Sequence, residues 1–250
     1  MASRTRSFLA LTAVLAGMNA CAASTARPPV PAAALATCPG GSIRSAEDAA
    51  RFEACGAVAG ALRIEQSSLS TLGSLANISS ISAALVIRDN PALDNLDGLS
   101  RLRSVGSLEI RSNPALTNVA GLESLETSRR VSIVDNQSLR RLSGLERLTH
   151  LNSLVLSKNG LYSTSGLEGL RELGDLVITQ NRYLISLGGL GNLTRARSLR
   201  IQKNPRICAK SGLLPRLTRV DGPLQLNANS GLFENDVSGL TARAKQGGAE

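Results

Sequence analysis

Tryptophan is absent from this chain, and aromatic residues of all kinds make up only 2% of it. Compact cores usually mix rings with aliphatics. An interior here must be built from Leu, Ile, Val and Ala, the side chains that stack as ladders in repeat solenoids. Lysine is also scarce: Lys158, Lys203, Lys210 and Lys245 are the only ones among 28 basic residues, so the formal charge of +9 is carried by arginine. An arginine-dominated surface suits nucleic acid, anionic lipid or acidic polysaccharide, or is simply a solvated face. No basic run is interleaved with stacking aromatics, so no nucleic-acid partner is expected. Histidine occurs once, as His150, and the four cysteines show no CxxC or Cys/His spacing. Neither a metal nor a cofactor is expected.

Long apolar runs are limited to one. After Arg4 and Arg6, residues Phe8 to Met18 form an uninterrupted stretch. It is about half of the roughly 20 residues that cross a bilayer, so it reads as a signal-peptide core and not as a spanning helix. Residues 1–20 are therefore taken as an export signal. The sequence Met18-Asn19-Ala20-Cys21 resembles a bacterial lipobox, which implies lipidation of Cys21. Ala20, Ala22 and Ala23 also offer ordinary small-residue cleavage sites nearby. From Cys21 to residue 37 the chain is rich in Ala and Pro without periodicity, as expected of a tether. The expected location is the cell envelope, anchored to the membrane through lipid, at the outer membrane or cell surface.

What is abundant is repetition. LVIRDNPALDNLDGL at 85–99 returns as LEIRSNPALTNVAGL at 108–122. Coils begin at Leu62, Leu85, Leu108, Val131, Leu154, Leu176, Leu199 and Leu224, a period of 22–25 residues that marks stacked supersecondary units. Each opens with an alternating triplet such as Leu85-Val86-Ile87, the pattern of a short strand with both ends of the triplet facing inward. Leu93, Leu96, Leu99, Leu102 and Val105 then recur every third residue, suiting a chain that turns around a core. Gly98, Gly121, Gly144, Gly166 and Gly189 precede a buried Leu where a turn needs little bulk.

A fixed Asn follows each strand: Asn90, Asn113, Asn136, Asn159, Asn181, Asn204 and Asn229, with Ser67 in the first coil. There the backbone leaves the sheet and its N–H and C=O groups lose ladder partners. A carboxamide both donates and accepts, so it satisfies them, and stacked amides bond to one another. Aspartate would place like charges about 4.8 Å apart in a poorly solvated column. The column is expected to be structural.

Leu151-x-x-Leu154-x-Leu156-x-x-Asn159-x-Leu161 matches the leucine-rich-repeat core pattern, and the other coils carry a longer Asn-Pro-x-Leu spacing with an x-Gly-Leu corner. Before them, Cys38-Pro-Gly-Gly-Ser-Ile leads through Ser45–Glu53 to Cys55-Gly-Ala-Val. Together these resemble the receptor L domain, the right-handed β-helix lobe of insulin and epidermal growth factor receptors, also found in bacterial surface lipoproteins. The resemblance spans residues 38 to about 240 and is specific for fold, not for ligand. It implies a β-rich parallel solenoid of about eight coils with a short N-terminal capping helix. The alternative is an α/β leucine-rich-repeat horseshoe. Cap (38–61), solenoid (62–240) and polar tail (241–250) complete the expected organisation. Ser45 and Asp48 are expected to cap the helix and Phe52 to cover the open end. Cys38 and Cys55 bracket this unit, and a disulfide between them with Cys208 free is expected in an exported protein. A Cys55–Cys208 bridge would have to span some six coils, about 29 Å, far beyond disulfide reach.

Catalysis is not expected. His150 shares its column with no Ser or Cys nucleophile, and Asp89 and Asp135 stand two coils, about 10 Å, apart, wider than a glycosidase carboxylate pair. The outward sheet positions are the better candidate: Arg63, Glu65, Arg88, Glu109 and Arg111 form a charged end, and Val134, Val155 and Val177 an apolar centre. Glu109, Arg88 and Arg111 either pair among themselves or belong to a face that binds a protein or surface glycan. No aromatic anchor stands on that face, which argues against a strong sugar platform or interface hot spot. Arg129, Arg130, Arg140 and Arg141 add a local basic cluster suited to anionic headgroups or to solvent. The expected function is thus macromolecule binding at the envelope. A purely structural role and a secreted carbohydrate-active β-helix are the alternatives.

Overall fold

A computed structural model describes residues 35–208, 213–232 and 234–246. Cys21, the signal segment and nearly all of the expected tether lie outside the described residues. Strand β1 (Ala36–Ile43) is followed by helix α1 (Ala46–Ala50) and strand β2 (Cys55–Glu65). Strands β3 (Ser80–Arg88), β4 (Ser104–Arg111), β5 (Arg130–Val134), β6 (His150–Ser157), β7 (Glu172–Thr179) and β8 (Arg195–Gln202) come at the repeat period. Short β9 (Arg219–Val220) and β10 (Leu224–Gln225) precede helix α2 (Glu234–Gln246). All pair in parallel in sequence order, with β9 and β10 both on β8. The chain is a parallel β-solenoid of about eight turns. From β2 to β8 the only helical segments among the described residues are single 3-10 turns, such as Asp97–Leu99 and Ala120–Leu122, so the helix-backed horseshoe is not adopted.

Register follows the repeat. Leu62, Leu85, Leu108, Val131, Leu154, Leu176 and Leu199 stand opposite one another along the sheet. Ile64, Ile87, Ile110, Ile133, Leu156, Ile178 and Ile201 form a second ladder two residues on. Every residue of both ladders is buried, as are the period-three corner residues Leu93, Leu96, Leu99, Leu102 and Val105. Burying each aliphatic side chain is worth about 1.5–3 kcal/mol, and the core is continuous because each coil's ladder rung covers the last.

The Asn column is completely buried in its middle and bonded in one direction. Asn113 Nδ2 donates to Ile87 O of the preceding coil at 3.0 Å and to Asn136 Oδ1 of the next at 3.3 Å, while its backbone N–H donates to the same Asn136 oxygen at 3.1 Å. Asn90, Asn136, Asn181 and Asn204 repeat this scheme, and the column ends on Asn229, whose Nδ2 donates to Ile201 O. Aspartate is excluded for a second reason: its oxygen would face a carbonyl oxygen where the amide N–H now sits. Ser67 accordingly occupies the first position, where it needs only to donate, through N and Oγ, to Asn90 Oδ1.

One feature has no visible signature in the sequence. The residue before each column member is left-handed: Gln66, Asp89, Ser112, Asp135, Lys158, Gln180, Lys203 and Ala228 all have φ between 52° and 58°. Each conformation costs about 1–2 kcal/mol for an L-residue. It turns the chain off the sheet without losing the ladder, since Asp89 N–H still reaches Arg111 O and Ser112 N–H still reaches Val134 O. The corner glycines answer another constraint. A Cβ on Gly121 would lie 1.9 Å from Leu96 O, and one on Gly189 1.8 Å from Thr164 O, so it is the preceding coil's backbone that forbids a side chain.

Both ends are closed. Ser45 Oγ accepts from Asp48 N–H at 3.2 Å, and Asp48 Oδ2 accepts from Arg44 N–H at 3.0 Å, which is the main reason its carboxyl titrates below the ordinary value. Phe52 is buried in the core, with its ring against Gly41. Cys38 and Cys55 form the expected disulfide, with Cα atoms 5.7 Å apart, and Cys208 is free. Two boundaries differ from expectation. The strand begins at Ala36, inside the expected tether, because the first segment pairs with β2 as an extra rung. Helix α2 runs past residue 240 and buries Leu240 and Ala244, so the tail begins within the C-terminal cover.

Replacing Asn136 by Ala strips donors from Ile110 O and Asn159 Oδ1 and should lower stability by roughly 1–3 kcal/mol in urea unfolding. Asn152→Ala, at an exposed position, should leave the midpoint almost unchanged. Cys38→Ser/Cys55→Ser should cost about 3 kcal/mol, the chain-entropy value for a loop of this size, measured against the oxidised protein.

Candidate binding face

The expected face is only partly available. Arg63, Arg88 and Arg111 are exposed at the early coils, with Glu109 half-buried beside them. Glu65 is not on the surface: it is 5% exposed, covered by Arg88 at 2.7 Å and by Arg44 of the cap at 3.6 Å. That pair holds the Arg88 guanidinium above its ordinary titration range. Of the two alternatives for Glu109, Arg88 and Arg111, pairing among themselves does not occur. Arg88 turns to Glu65, and no ion pair of Glu109 or Arg111 occurs among the described residues. Val134, Val155 and Val177 are half-buried at the centre of the sheet, with Val155 and Val177 directly opposite in register.

A groove beside these valines was not foreseen. In β6, β7 and β8 the alternation of buried and outward residues is interrupted by two successive non-buried positions, the first of which are Asn152, Gly174 and Arg197, level with one another in register. Gly174 has no room for a side chain, since a Cβ would stand 2.1 Å from Asn152 O. The backbone is thus the floor, and flanking side chains become walls. Three adjoining hollows result, two of about 470 Å³ and one of about 360 Å³, and Arg197 lines all of them. Val155 lines the second and Val177 the third, so the groove joins the apolar centre of the sheet.

Charge in the groove is uneven. Arg129, Arg130, Arg195, Arg197 and Arg200 line it, against Glu172, Asp175 and Asp221. Arg197 and Asp175 are joined by two contacts, one of them Nε to Oδ1 at 3.1 Å, and Ser198 Oγ donates to the same carboxylate at 2.7 Å. The Arg197 hydrogen bond first, and the Ser198 hydroxyl second, lower the Asp175 pKa against the opposing effect of burial. Asp221 is lowered likewise, chiefly by its bond from Arg219 and further by Arg195 at 3.6 Å. Arg129, Arg130 and Arg200 pair with no carboxylate among the described residues. His150 is exposed, bonded to Thr149 Oγ1 at 2.9 Å and 3.9 Å from Glu172, in keeping with a surface role. Ser132, Ser153 and Asn152 add neutral donors and acceptors to the second hollow.

Of the sequence-derived residues, the structure brings Val155, Val177, Arg129 and Arg130 to one groove and leaves Arg63, Arg88 and Arg111 on earlier coils. Arg195, Arg197 and Asp175 escaped sequence reading. The repeat assigned outward positions only from each coil's opening triplet onward, and these residues precede the triplets at Leu176 and Leu199.

Asp175 should titrate below the ordinary aspartate value of about 3.9. Because its folded-state pKa is depressed, the pair's contribution is fully present above that ordinary value and is lost as pH falls through the lowered one. NMR titration of the carboxyl carbon checks this, and Arg197→Ser should move the midpoint upward. No protein-family model matches the chain, and no curated protein matches it at a significant level.

Proposed function

We propose that this chain is a non-catalytic envelope lipoprotein, of the receptor L-domain type, whose solenoid binds a protein or surface glycan. The observation that carries the reading is the arginine-lined groove running beside Val155 and Val177 across β5 to β10. Its hollows are open and adjoining, so they suit an extended ligand lying across several coils better than an enclosed small molecule. Arg129, Arg130 and Arg200 stand without carboxylate partners and offer planar, multidentate donors to carboxylate, sulfate or phosphate groups on such a ligand. The Arg197–Asp175 pair fixes one wall, so less side-chain freedom is lost when a partner docks. The apolar strip of half-buried valines supplies contact area beside these charges.

Export rests on two supports. The Cys38–Cys55 disulfide belongs in an oxidising compartment. The signal-like segment and lipobox-like Cys21 resemble those of lipoproteins, and Cys21 is the assigned anchor. Among the described residues no helix is long and apolar enough to cross a membrane. In this reading the lipid holds the protein at the membrane and the solenoid faces the partner.

Palmitate labelling should be abolished by Cys21→Ser, with the protein leaving the membrane fraction; unchanged labelling ends the lipoprotein assignment. For the groove, capture of envelope protein or glycan by the immobilised solenoid should fall about tenfold in Arg129→Ser/Arg130→Ser, with the sheet spectrum retained. Equal capture by the variant would remove the groove from the binding surface.

A further inference from the structure

The chain has only two tyrosines, and the fold places them together on a different part of the surface from the groove. Tyr162 and Tyr183 lie on successive coils just after the Asn column, with ring centroids 6.0 Å apart and planes tilted by 56°. Three guanidinium groups stand over them. Arg140 lies 5.3 Å from the Tyr162 ring and 5.4 Å from the Tyr183 ring, Arg182 4.8 Å and Arg206 5.9 Å from Tyr183. Ile185 is the next residue in the same row, its N–H bonded to Tyr162 O at 2.8 Å. Tyr162 and Ile185 are 48% and 47% exposed, two of only three large hydrophobic side chains so exposed among the described residues.

The shortest repeat makes this arrangement. The step from Asn159 to Asn181 is 22 residues, and Gly160 alone stands where two residues separate Asn from its buried Leu in coils such as Asn136-Gln137-Ser138-Leu139. Gly160 is buried, and Arg140 Nη1 donates to Gly160 O at 3.0 Å. A Cβ there would lie 2.7 Å from that nitrogen. The missing side chain therefore seats the guanidinium across the coil boundary, over both rings.

We propose that this patch is a second docking surface, and that its occupant is a protein segment carrying acidic and aliphatic side chains in alternation. Charge complementarity sets the first requirement. Arg140, Arg182 and Arg206 pair with no carboxylate among the described residues, and beyond the one Arg140 Nη1 bond to Gly160 O their N–H groups are left for bidentate carboxylate contact. The exposed Tyr162 and Ile185 set the second, since a partner that only carried charge would leave them wet. Tyrosine and arginine are also the residues that concentrate energy in protein interfaces. A glycan fits less well, because cations already stand over the rings on which a sugar would stack. A membrane fits less well too: three guanidiniums spread over three coils fall short of the four to eight basic residues of a typical anionic-lipid site.

Fluorescence anisotropy with a labelled peptide alternating Glu and Leu tests the proposal on the mature solenoid at low ionic strength. The peptide should bind, and its Gln-for-Glu counterpart should bind at least about tenfold more weakly. Arg182→Ser/Arg206→Ser and Ile185→Ser should each weaken the Glu peptide about tenfold, while Arg129→Ser/Arg130→Ser in the groove should not. If the double serine variant loses its sheet spectrum, Arg206→Lys, which keeps charge without the planar fork, is read in its place and should weaken binding severalfold. Equal binding of the two peptides, or a loss confined to the groove variant, overturns the proposal. So does tighter binding of phosphatidylglycerol vesicles or polygalacturonate through the same arginines, which would assign the patch to lipid or glycan. Failure here leaves the groove reading intact, because the groove variant tests that separately.

Discussion

Each coil has to leave the sheet, turn and return without abandoning a backbone donor or acceptor in the core, and the buried amide column is how that requirement is met. A bare turn at that depth would expose Ile87 O, Ile110 O and their equivalents to an apolar interior, at a cost of several kcal/mol per coil if left unpaired. The carboxamide joins its coil to both neighbours, as Asn113 does by donating to Ile87 O and accepting from Asn90 on one side and donating to Asn136 Oδ1 on the other. It also ties the coils at one spacing, because most of these oxygens receive two hydrogen bonds from the coil before, as Asn113 Oδ1 does from Asn90 N–H and Nδ2. The left-handed residue ahead of every column member is the strain this solution requires, offset by hydrogen bonds worth about 1 kcal/mol each. The close approach of successive corners, and hence the need for Gly121 and Gly189, follows from the same spacing.

Once coils are locked in register, surface chemistry is arranged in columns, and departures from the repeat become local features. Gly174 interrupts the side-chain column and leaves a backbone floor between Asn152 and Arg197. The missing residue after Asn159 brings Arg140 across a coil boundary onto two tyrosines. Both surfaces exist because a regular scaffold holds an irregular residue still. Neither would persist on a flexible loop, since ordering the long arginine side chains costs rotamer entropy that a rigid neighbour reduces. The end covers serve the same purpose: α1 with its disulfide and α2 with Leu240 keep the terminal coils from exposing core and edge.

What the sequence determined by itself was the side-chain pattern that recurs. Period, inward ladders, the Asn column, the glycine corners and the parallel architecture were legible because a strand facing one core repeats its side-chain requirement in every coil. The Cys38–Cys55 cap was legible because both cysteines lie within one short unit. Tertiary structure alone decided what that pattern does not carry. Glu65 occupies an outward register yet is buried, because Arg44 arrives from the cap and Arg88 from the next coil. Asp89, Ser112 and Lys158 adopt left-handed backbone with little in common chemically, since the Asn beside them, not their own side chain, supports that conformation. The groove depends on where the in-out alternation is interrupted beside Gly174, and the aromatic patch on a guanidinium crossing between coils. Periodicity reports which way a residue points on its own coil, whereas these features depend on how far side chains of adjacent coils reach toward each other.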